Sequence, residues 1–599
     1  MKTRPTRDGL EHVPNTLRIV IILLFVACFV TGSLAQIQIP VQHSAGSSSG
    51  KLVQRTFGRK TVISPRALGK AWKGNSTFVN GQDLGVGAMQ VSLVSDDELI
   101  SKSNASFIIF LAHFTYLRLI VPNNPPVFDK AEANPLQVNG HSAWGQLYTL
   151  STGKTKALDL ITNSFCAAGG WLSNGTLLSI GGNVIDPANP VATNGNTALR
   201  FFTPCAPGGD CQVHEYPDIH LTSIRWYAST VRLPDGSIII IGGTVQGGFN
   251  NAPDIDNPTI EFYPPKGDGK QIYFQFLHDW KTNQEYRLPD LPNGVMATYP
   301  ASAASALLPL TIKNKYSAEI LICGGSTQDL DNPNSLSVQA PTSTQCARIK
   351  IVGKESVGGW QLEQMPSARI MGDAILMPDG KVLIINGAHT GFCGYFNAVD
   401  QVGSSNAANP AFQPILYDPL AASGSRFSTN FPASQTERLY HSSATLVPDG
   451  SVFTAGSNPN ANASPWSRHG RMALGQLGRV YNTEYLQPPY MSLPRPTFSG
   501  QPKKLLYKAQ VTFSYTAPKG TKTIRAVIND IGYSTHGVHM NQRWLELKVL
   551  SAKDGKITLQ GPPGPTYYPP GYGWLWILAD DVPSKGKRVM VGKGKGQFF

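Results

Sequence analysis

Tyr440 and His441 are adjacent in the chain and lie just before an apolar run that turns at Pro448-Asp449-Gly450 and returns as a second strand. Neighbouring residues of a regular strand point to opposite faces, so the two side chains can meet one ion only at the irregular end of the strand. A phenol oxygen offered together with an imidazole nitrogen suits a borderline metal such as Cu(II). Taken alone, the pair is more typical of core packing beside a surface histidine. A metal site is indicated only because three other stretches carry matching side chains.

Those three stretches contain a thiol, a second phenol and a second imidazole. Cys166 lies in the first, Tyr227 lies directly before an apolar strand in the second, and His536 follows Thr535 at a turn in the third. Each residue also has a simpler interpretation: a buried structural thiol, a packed core tyrosine and a surface histidine. His539 lies close to His536 in the chain and is a rival metal ligand.

A repeated unit would position these residues. From about Gly170 the chain repeats a turn, an apolar strand and a glycine pair or its remnant, and the closing glycines fall at positions 182, 243, 325, 387 and 456. An apolar strand ending in Gly-Gly at a spacing of roughly 50 residues or more is typical of the kelch repeats of a β-propeller. An irregular β-sandwich with chance glycine pairs is the alternative. We predict a propeller over residues 85–485, preceded by a lead-in over 36–84.

Two stretches do not follow this repeat. Residues 107–121 are strongly apolar, have no functional assignment and would disturb the first blade if they are an insertion. After residue 485 a proline-rich linker leads into short strands without helical periodicity. Those strands predict an immunoglobulin-like sandwich over residues 486–599.

The first 35 residues have the pattern of an export signal. A polar segment with four basic residues precedes the apolar run 19–30, and Ser33-Leu34-Ala35 offers small residues to a signal peptidase, which predicts a mature start near Gln36. The apolar run is shorter than the roughly 20 residues of a membrane span. A retained anchor is the alternative.

Export makes the cysteines interpretable, because disulfides persist in oxidising compartments. Two pairs are expected to form disulfides on spacing: Cys205–Cys211 and Cys323–Cys346. Cys166 and Cys393 are left over, and a spare thiol in such a compartment needs a reason. Four sequons are compatible with secretion, at Asn75, Asn104, Asn174 and Asn462.

The net charge of +13 limits the choice of partners. The basic residues look scattered along the chain, with no dense run except a short tail, whereas a nucleic-acid interface should cluster them. We therefore expect an acidic polysaccharide partner or no specific one. The chain also has no G-x-S-x-G elbow, which argues against serine hydrolysis.

The four chemical motifs together resemble the copper radical oxidases, the galactose oxidase and glyoxal oxidase family, and in particular the plant-type secreted glyoxal (aldehyde) oxidases. The motifs fall in the family's order between Cys166 and His536, and the resemblance covers nearly all of the chain from Gly85. It implies an all-β fold: a kelch-type seven-bladed β-propeller followed by a C-terminal immunoglobulin-like, early-set β-sandwich.

The resemblance also implies a role for each site residue. Tyr227 would be the equatorial tyrosine, joined through its ring to the sulfur of Cys166 in a self-processed thioether that carries a tyrosyl radical. Tyr440 would be the axial tyrosine and the base that takes the substrate proton. One copper ion would be bound by four residues with a further position open: Tyr227, Tyr440, His441 and His536.

The implied reaction is the oxidation of small aldehydes such as glyoxal or methylglyoxal to carboxylic acids, with reduction of O2 to H2O2, by a secreted monomer of the apoplast or cell wall. The copper ion and the tyrosyl radical each accept one electron, so no flavin or nicotinamide is required, and no G-x-G-x-x-G motif stands between a strand and a helix. An oxidase of primary alcohols, including sugars, would use the same site. An extracellular kelch binding protein with an inactive site is the alternative from another class.

Overall fold

The computed structural model describes residues 75–84, 86–93, 126–129, 131, 134–185, 190–204, 211–247, 254–273, 277–279, 284–328, 336–352, 355–459 and 480–594. The predicted export signal, the apolar stretch 107–121 and Cys205 lie outside these residues. The described parts are all-β, with short 3-10 turns at Pro292–Gly294 and Pro489–Ser492. They contain no helix that is long and apolar enough to cross a membrane.

Six four-stranded antiparallel units make up the propeller in the described residues, numbered here as blades 1 to 6. Each is written from its innermost strand outward. Blade 1 is β2 (Gln90–Ser92), β3 (Pro126–Phe128), β6 (Gly145–Tyr148) and β7 (Thr155–Leu158). Blade 2 is β8 (Ala168–Trp171), β9 (Leu177–Ile180), β10 (Ala198–Phe202) and β11 (Val213–His220). Blade 3 is β12 (Ser229–Arg232), β13 (Ile238–Ile241), β14 (Thr259–Tyr263) and β15 (Ile272–Tyr273).

The second half of the ring continues in the same way. Blade 4 is β18 (Ala304–Leu307), β19 (Ala318–Cys323), β20 (Gln345–Val352) and β21 (Glu355–Gln364). Blade 5 is β22 (Asp373–Leu376), β23 (Val382–Ile385), β26 (Ile415–Tyr417) and β27 (Phe427–Ser428). Blade 6 is β28 (Ser443–Leu446), β29 (Val452–Ala455), β30 (Asn482–Gln487) and β1 (Thr77–Asp83). The expected total of seven blades stays a prediction.

Blade 6 joins distant parts of the chain. Its outer strand β1 precedes the predicted propeller start at residue 85 and pairs antiparallel with β30, Thr77 opposite Gln487. Blade 1 is a continuous sheet, because β2 and β3 pair directly although the stretch 107–121 lies between them in the chain. Three two-stranded pairs extend from the blades: β4 (Gln137–Val138) with β5 (His141–Ser142), β16 (Leu277–Asp279) with β17 (Gln284–Tyr286), and β24 (Ala388–Tyr395) with β25 (Ser405–Pro410).

The closing glycines are required by close approach of backbone. A Cβ atom on Gly243 would lie 2.6 Å from the carbonyl oxygen of Trp226, and one on Gly456 would lie 2.5 Å from that of His441. Both glycines also have φ values that side-chain-bearing residues rarely adopt, +89° and +74°. The glycines therefore let each second strand pack against the backbone that enters the innermost strand, which is where Tyr227 and His441 lie.

The C-terminal domain is a β-sandwich, as predicted. Its strands are β31 (Thr497–Ser499), β32 (Lys504–Leu505), β33 (Gln510–Thr516), β34 (Ile524–Asp530), β37 (Arg543–Lys553), β38 (Lys556–Gln560), β39 (Gly571–Ala579), β40 (Val582–Pro583) and β41 (Lys587–Val591). The long strand β37 pairs with β34 through its first half and with β38 through its second half, and so belongs to both layers. Between the layers lies an apolar core that includes Ile528, Leu545, Ile557 and Leu559.

A hairpin from this sandwich fills the propeller axis. It consists of β35 (Tyr533–Thr535) and β36 (Val538–Met540), and β35 pairs with β2 of blade 1. The hairpin contacts the innermost strand of each of the six blades. The two domains therefore share one interior.

One of the two predicted disulfides lies wholly within the described residues. Cys323 and Cys346 form the predicted disulfide between paired strands β19 and β20, which confirms that pair. Cys211 is disulfide-bonded, and its predicted partner lies outside the described residues. Cys166 and Cys393 are buried and take part in no disulfide.

Candidate metal centre

The five predicted site residues lie together at one end of the propeller axis. The ligand atoms of Cys166, His441 and His536 lie within 4.8 Å of one another, and all three side chains are buried. The ring centroid of Tyr227 lies 4.4 Å from that of His536, and the ring centroid of Tyr440 lies 3.8 Å from that of His441. Residues that are 370 positions apart in the chain thus face one small volume.

Three of these residues occupy the same position of the repeat. Cys166, Tyr227 and His441 each lie two residues before the innermost strand of a blade and have φ values of 57°, 63° and 64°. Such left-handed backbone is uncommon for residues other than glycine and collects at functional sites. Ser302 and Met371 lie at the same position of blades 4 and 5, also with positive φ. The left-handed residue therefore belongs to the repeat, and three blades use it to hold a reactive side chain.

Hydrogen bonds fix the tautomers of both imidazoles. Nδ1 of His441 lies 2.8 Å from the carbonyl oxygen of Asn458, which can only accept, so Nδ1 carries the proton. Nδ1 of His536 lies 2.5 Å from the hydroxyl oxygen of Thr535, whose own hydrogen is donated to the carbonyl oxygen of Met89. In both rings Nε2 is therefore the atom with the lone pair. Proteins orient metal-binding histidines by such a hydrogen bond from the ring nitrogen that does not bind the metal.

Two polar atoms at this centre are buried without a hydrogen-bond partner among the described residues: Oη of Tyr227 and Nε2 of His536. A buried polar atom of this kind costs on the order of 1–3 kcal/mol. A cation placed between the phenol oxygen and the imidazole nitrogen would satisfy both atoms at once.

Burial sets the ionisation of the centre. It lowers the pKa of His536 to about 3, so the imidazole is neutral and able to act as a ligand at neutral pH. It raises the pKa of the Tyr440 phenol well above its usual value near 10, and the neighbouring Cys166 sulfur adds to the effect. A bound cation acts in the opposite direction, because it stabilises the phenolate.

Aromatic side chains that the sequence did not single out form the walls. The ring of Tyr299 lies over that of Tyr227, with centroids 4.9 Å apart and planes 31° apart. The ring of Trp226 packs edge-on against that of Tyr227, with centroids 4.1 Å apart, and the ring centroids of Tyr395 and Tyr440 are 6.2 Å apart. Trp226 is buried, whereas the tyrosine rings at 227, 299 and 395 are partly exposed. The centre is therefore reached from solvent along these tyrosines.

The rival ligand His539 and the arginines near the site lie outside the group of ligand atoms. His539 lies on β36 opposite Ser534 and outside the group of ligand atoms formed by Cys166, His441 and His536. The arginines that precede the site motifs are structural: Nε of Arg225 donates to Glu261 at 2.6 Å, and its Nη1 donates to the carbonyl oxygen of Gly242 at 2.8 Å. Arg369 and Arg438 brace blades 5 and 6 through backbone carbonyls in the same way.

Fold and site together define a class of protein: a β-propeller whose axial centre of tyrosine, histidine and cysteine is completed by a hairpin from a C-terminal β-sandwich. The chain belongs to the glyoxal oxidase family. Residues 129–288 and 273–465 match the family profile described as "Glyoxal oxidase N-terminus", and residues 495–591 match the profile "Galactose oxidase-like, Early set domain".

Individual relatives agree with this assignment. The chain is 31% identical over 485 residues to "Aldehyde oxidase GLOX" of Vitis pseudoreticulata, covering 74% of this chain and 84% of that protein. It is 31% identical over 509 residues to "Aldehyde oxidase GLOX1" of Arabidopsis thaliana, covering 78% and 77%. A solved structure titled "Novel fungal alcohol oxidase with catalytic diversity among the AA5 family, in complex with copper" shares the fold, with a TM-score of 0.58 at 16% identity, covering 87% of this chain and all of that one.

Proposed function

We propose that the protein is a mononuclear copper radical oxidase that converts small aldehydes such as glyoxal and methylglyoxal to carboxylic acids and reduces O2 to H2O2. The observation that carries the proposal is the convergence of two phenols, two imidazoles and one thiol from four separate parts of the chain on one buried volume. The names of the two plant relatives support an aldehyde as the substrate.

Copper fits this donor set. Two imidazole nitrogens and two phenol oxygens are the donors that Cu(II) takes in a tetragonal arrangement. We propose as ligands Tyr227, Tyr440, His441 and His536, with one position left for the substrate. When bound, the copper ion would supply one of the two electron acceptors that the oxidation needs.

Tyr227 would supply the other acceptor. Its ring carbon would be joined to the sulfur of Cys166, so that an S–H and a C–H bond are replaced by a C–S bond and two hydrogens pass to O2. The backbone N–H of Tyr227 donates to the carbonyl oxygen of Cys166 at 3.1 Å, which holds the two residues together. A sulfur substituent on the ring makes the phenol easier to oxidise to its radical.

The aldehyde would react as its hydrate, with Tyr440 taking the hydroxyl proton and the oxidised Tyr227 taking the hydrogen atom from carbon. The product is a carboxylic acid, and the two electrons and two protons that leave the hydrate reduce one O2 to H2O2. Trp226 and Tyr299 cover the Tyr227 ring and so limit the access of water to the radical.

A primary alcohol is the second candidate substrate, because the structurally similar fungal enzyme is named an alcohol oxidase. The partly exposed side chains of Tyr227, Tyr299 and Tyr395 line the approach to the centre. Turnover of a small aldehyde compared with that of a primary alcohol distinguishes the two substrates. An inactive binding protein would have no need of two buried imidazoles whose Nδ1 atoms are held by hydrogen bonds.

We further propose that the protein is exported as a monomer after cleavage near residue 35. The predicted division into a lead-in over 36–84, a propeller over 85–485 and a sandwich over 486–599 is adjusted at both boundaries, because β1 and the end of β30 belong to blade 6. The exposed sequon asparagines at 75 and 174 are compatible with glycosylation on this route. N-terminal sequencing of the secreted protein tests the cleavage.

The deciding experiment combines a peroxide assay with peptide mass spectrometry on the copper-loaded protein. We expect peroxide formation with glyoxal and methylglyoxal. We also expect a covalent pair of peptides containing Cys166 and Tyr227, lighter by two hydrogens and resistant to reduction. Bound copper with neither peroxide nor the linked peptides would overturn the proposal in favour of a binding protein.

A further inference from the structure

The charge of the protein is concentrated in its C-terminal domain. Residues 486–599 contain 16 of the 51 Lys and Arg but only 5 of the 38 Asp and Glu, which is a formal charge of +11 out of +13. The first 485 residues, with 35 basic and 33 acidic side chains, are close to balance. The basic residues that look scattered along the chain therefore belong mostly to one domain, and the field they create acts from that domain.

Four of the five acidic side chains of the sandwich are engaged with other groups, and the fifth, Asp554, is exposed in the turn that joins Lys553 to Lys556. Asp530 is buried and pairs with Arg232 of the propeller, and Glu546 pairs with Arg525. The exposed lysines of the described domain are Lys503, Lys504, Lys508, Lys519, Lys522, Lys548, Lys553, Lys556, Lys585 and Lys593. None of the three on β37 and β38 forms an ion pair with a described residue.

These three lysines lie on one face of the sandwich. The strand register places nine outward side chains in three rows across β37, β38 and β33: Lys548–Gln560–Gln510, Ser551–Thr558–Thr512 and Lys553–Lys556–Ser514. The residues between them in the strands, such as Ile557 and Leu559, point into the core. We call these nine residues the lysine face.

The nine positions of the lysine face are polar, and one exposed apolar side chain lies beside them, Leu550 at the bulge of β37 between Lys548 and Ser551. The nine positions carry lysines, amides and hydroxyls and no acidic, aromatic or large apolar side chain. Nζ of Lys556 donates to Oγ of Ser514 at 2.9 Å, and the hydroxyls of Thr512 and Thr558 are 2.9 Å apart. Gln510, Lys548 and Lys553 are exposed, so their amide and amine groups can meet the hydroxyls and carboxylates of a polymer.

The lysine face lies away from the candidate metal centre. The centre is at the entry to the innermost strands, whereas the sandwich packs on the turns at their other end. There Nε1 of Trp544 donates to the carbonyl oxygen of Pro378, and Nη1 of Arg495 donates to that of Asp449. A polymer on the lysine face therefore leaves the entry to the centre open.

We infer that the lysine face binds an acidic polysaccharide, a polymer of carboxylate-bearing sugars, and holds the protein on it with the centre directed outward. A single-stranded nucleic acid fits less well, because such sites stack bases on aromatic side chains. A membrane surface also fits less well, because interfacial binding buries an apolar face. The inference is independent of the copper chemistry, since it concerns another face of another domain.

The test measures retention on immobilised polygalacturonate at about 0.1 M salt, with neutral dextran as the reference polymer. We expect the triple variant Lys548→Gln, Lys553→Gln, Lys556→Gln to bind polygalacturonate at least about tenfold more weakly, because three surface charges of modest individual effect act together. A matched variant changes three exposed lysines elsewhere in the sandwich, Lys503→Gln, Lys519→Gln and Lys585→Gln. It should stay within about threefold of the wild type.

Thermal unfolding and peroxide formation show whether a variant has lost its fold or its activity and not only its binding. Thermal unfolding should be unchanged in both variants because all six lysines are exposed, and peroxide formation should be unchanged because none is near the centre. Equal losses for the two variants would overturn the inference, since they would indicate attraction by net charge alone. Binding of duplex DNA or of anionic phospholipid vesicles that is as tight as that of polygalacturonate would also overturn it.

Discussion

The polar side chains that follow the axial hairpin at its base, Asn541 and Gln542, differ from His536 at its tip in how completely they are hydrogen-bonded. At the base, the side chain of Gln542 accepts from the N–H of Leu376 at 2.6 Å and donates to the carbonyl oxygen of Ala374 at 2.8 Å. Asn541 accepts from the N–H of Arg232 at 2.5 Å. At the tip, Nε2 of His536 is buried without a hydrogen-bond partner among the described residues.

The comparison separates what holds the domains together from what is held ready for chemistry. Buried polar groups that are fully paired specify one arrangement of two packed elements. Unpaired buried polar atoms are retained where a function requires them. The hairpin base is therefore predicted to control stability and the tip to control turnover. Substitutions at each end test whether the two effects are separate.

The largest effect is expected from Tyr227→Phe. Removing the phenol oxygen removes one of the two proposed electron acceptors, so peroxide formation with glyoxal should fall at least about 1,000-fold. Copper should still bind through Tyr440, His441 and His536, and the unfolding midpoint should be unchanged because the base is intact. Peroxide assay and copper analysis check both parts. Retained turnover would contradict the role of Tyr227.

The two thiols without a disulfide give a matched pair. Cys166→Ser should abolish the linked peptide and lower turnover by about 100-fold or more, because an unmodified phenol is harder to oxidise. Cys393→Ser removes an equally buried sulfur near the same tyrosines and should stay within about threefold. Peptide mass spectrometry and the peroxide assay distinguish them. Similar losses for the two variants would mean that Cys166 acts by packing.

At the base, Gln542→Ala should destabilise the protein by about 2–4 kcal/mol. The substitution leaves a backbone N–H and a carbonyl oxygen buried without partners, and each costs on the order of 1–3 kcal/mol. Turnover per folded molecule should change less than threefold. Denaturant unfolding is the measurement, and Gln510→Ala on the lysine face is the control, with a change within about 0.5 kcal/mol. A stable variant with lost turnover would reverse the proposed division.

The smallest effect is expected from Thr535→Val, which keeps the shape but removes the hydroxyl that orients His536. Copper affinity should fall about 10–100-fold, the usual cost of losing the partner of a ligand histidine. Competition with a chelator measures it. The control Thr512→Val removes an exposed hydroxyl and should leave affinity unchanged. An unaltered affinity in Thr535→Val would show that packing alone fixes the imidazole.

The strands and their turns could be predicted because their causes are local. In the Pro-Asp-Gly turns the aspartate accepts from the backbone N–H two residues on, Asp235 from Ser237 at 3.0 Å and Asp449 from Ser451 at 2.8 Å, and the glycine takes positive φ. The apolar run that follows is then buried, as in β13. The site residues were predicted through their family motifs, since spacing alone could not bring Cys166 and His536 together.

Features that depend on distant contacts could not be predicted. Nothing near residue 77 in the sequence signals that β1 pairs with β30, and the left-handed position of Cys166 is not visible in its residue type. Tyr299 has no motif, so its place over Tyr227 appears only in three dimensions. The uneven distribution of charge could have been predicted from the sequence. Counting the basic and acidic residues of each predicted domain separately would have shown it.

The closure of blade 6 also constrains the order of events during synthesis. The strand β1 leaves the ribosome about 400 residues before β30, with which it pairs. Until then its edge has no native partner, and contacts of such long sequence separation make folding slow. The hairpin that carries His536 emerges later still. A nascent chain that stops short of this hairpin therefore lacks one of the proposed ligands, so we expect copper to bind only after the hairpin has been made.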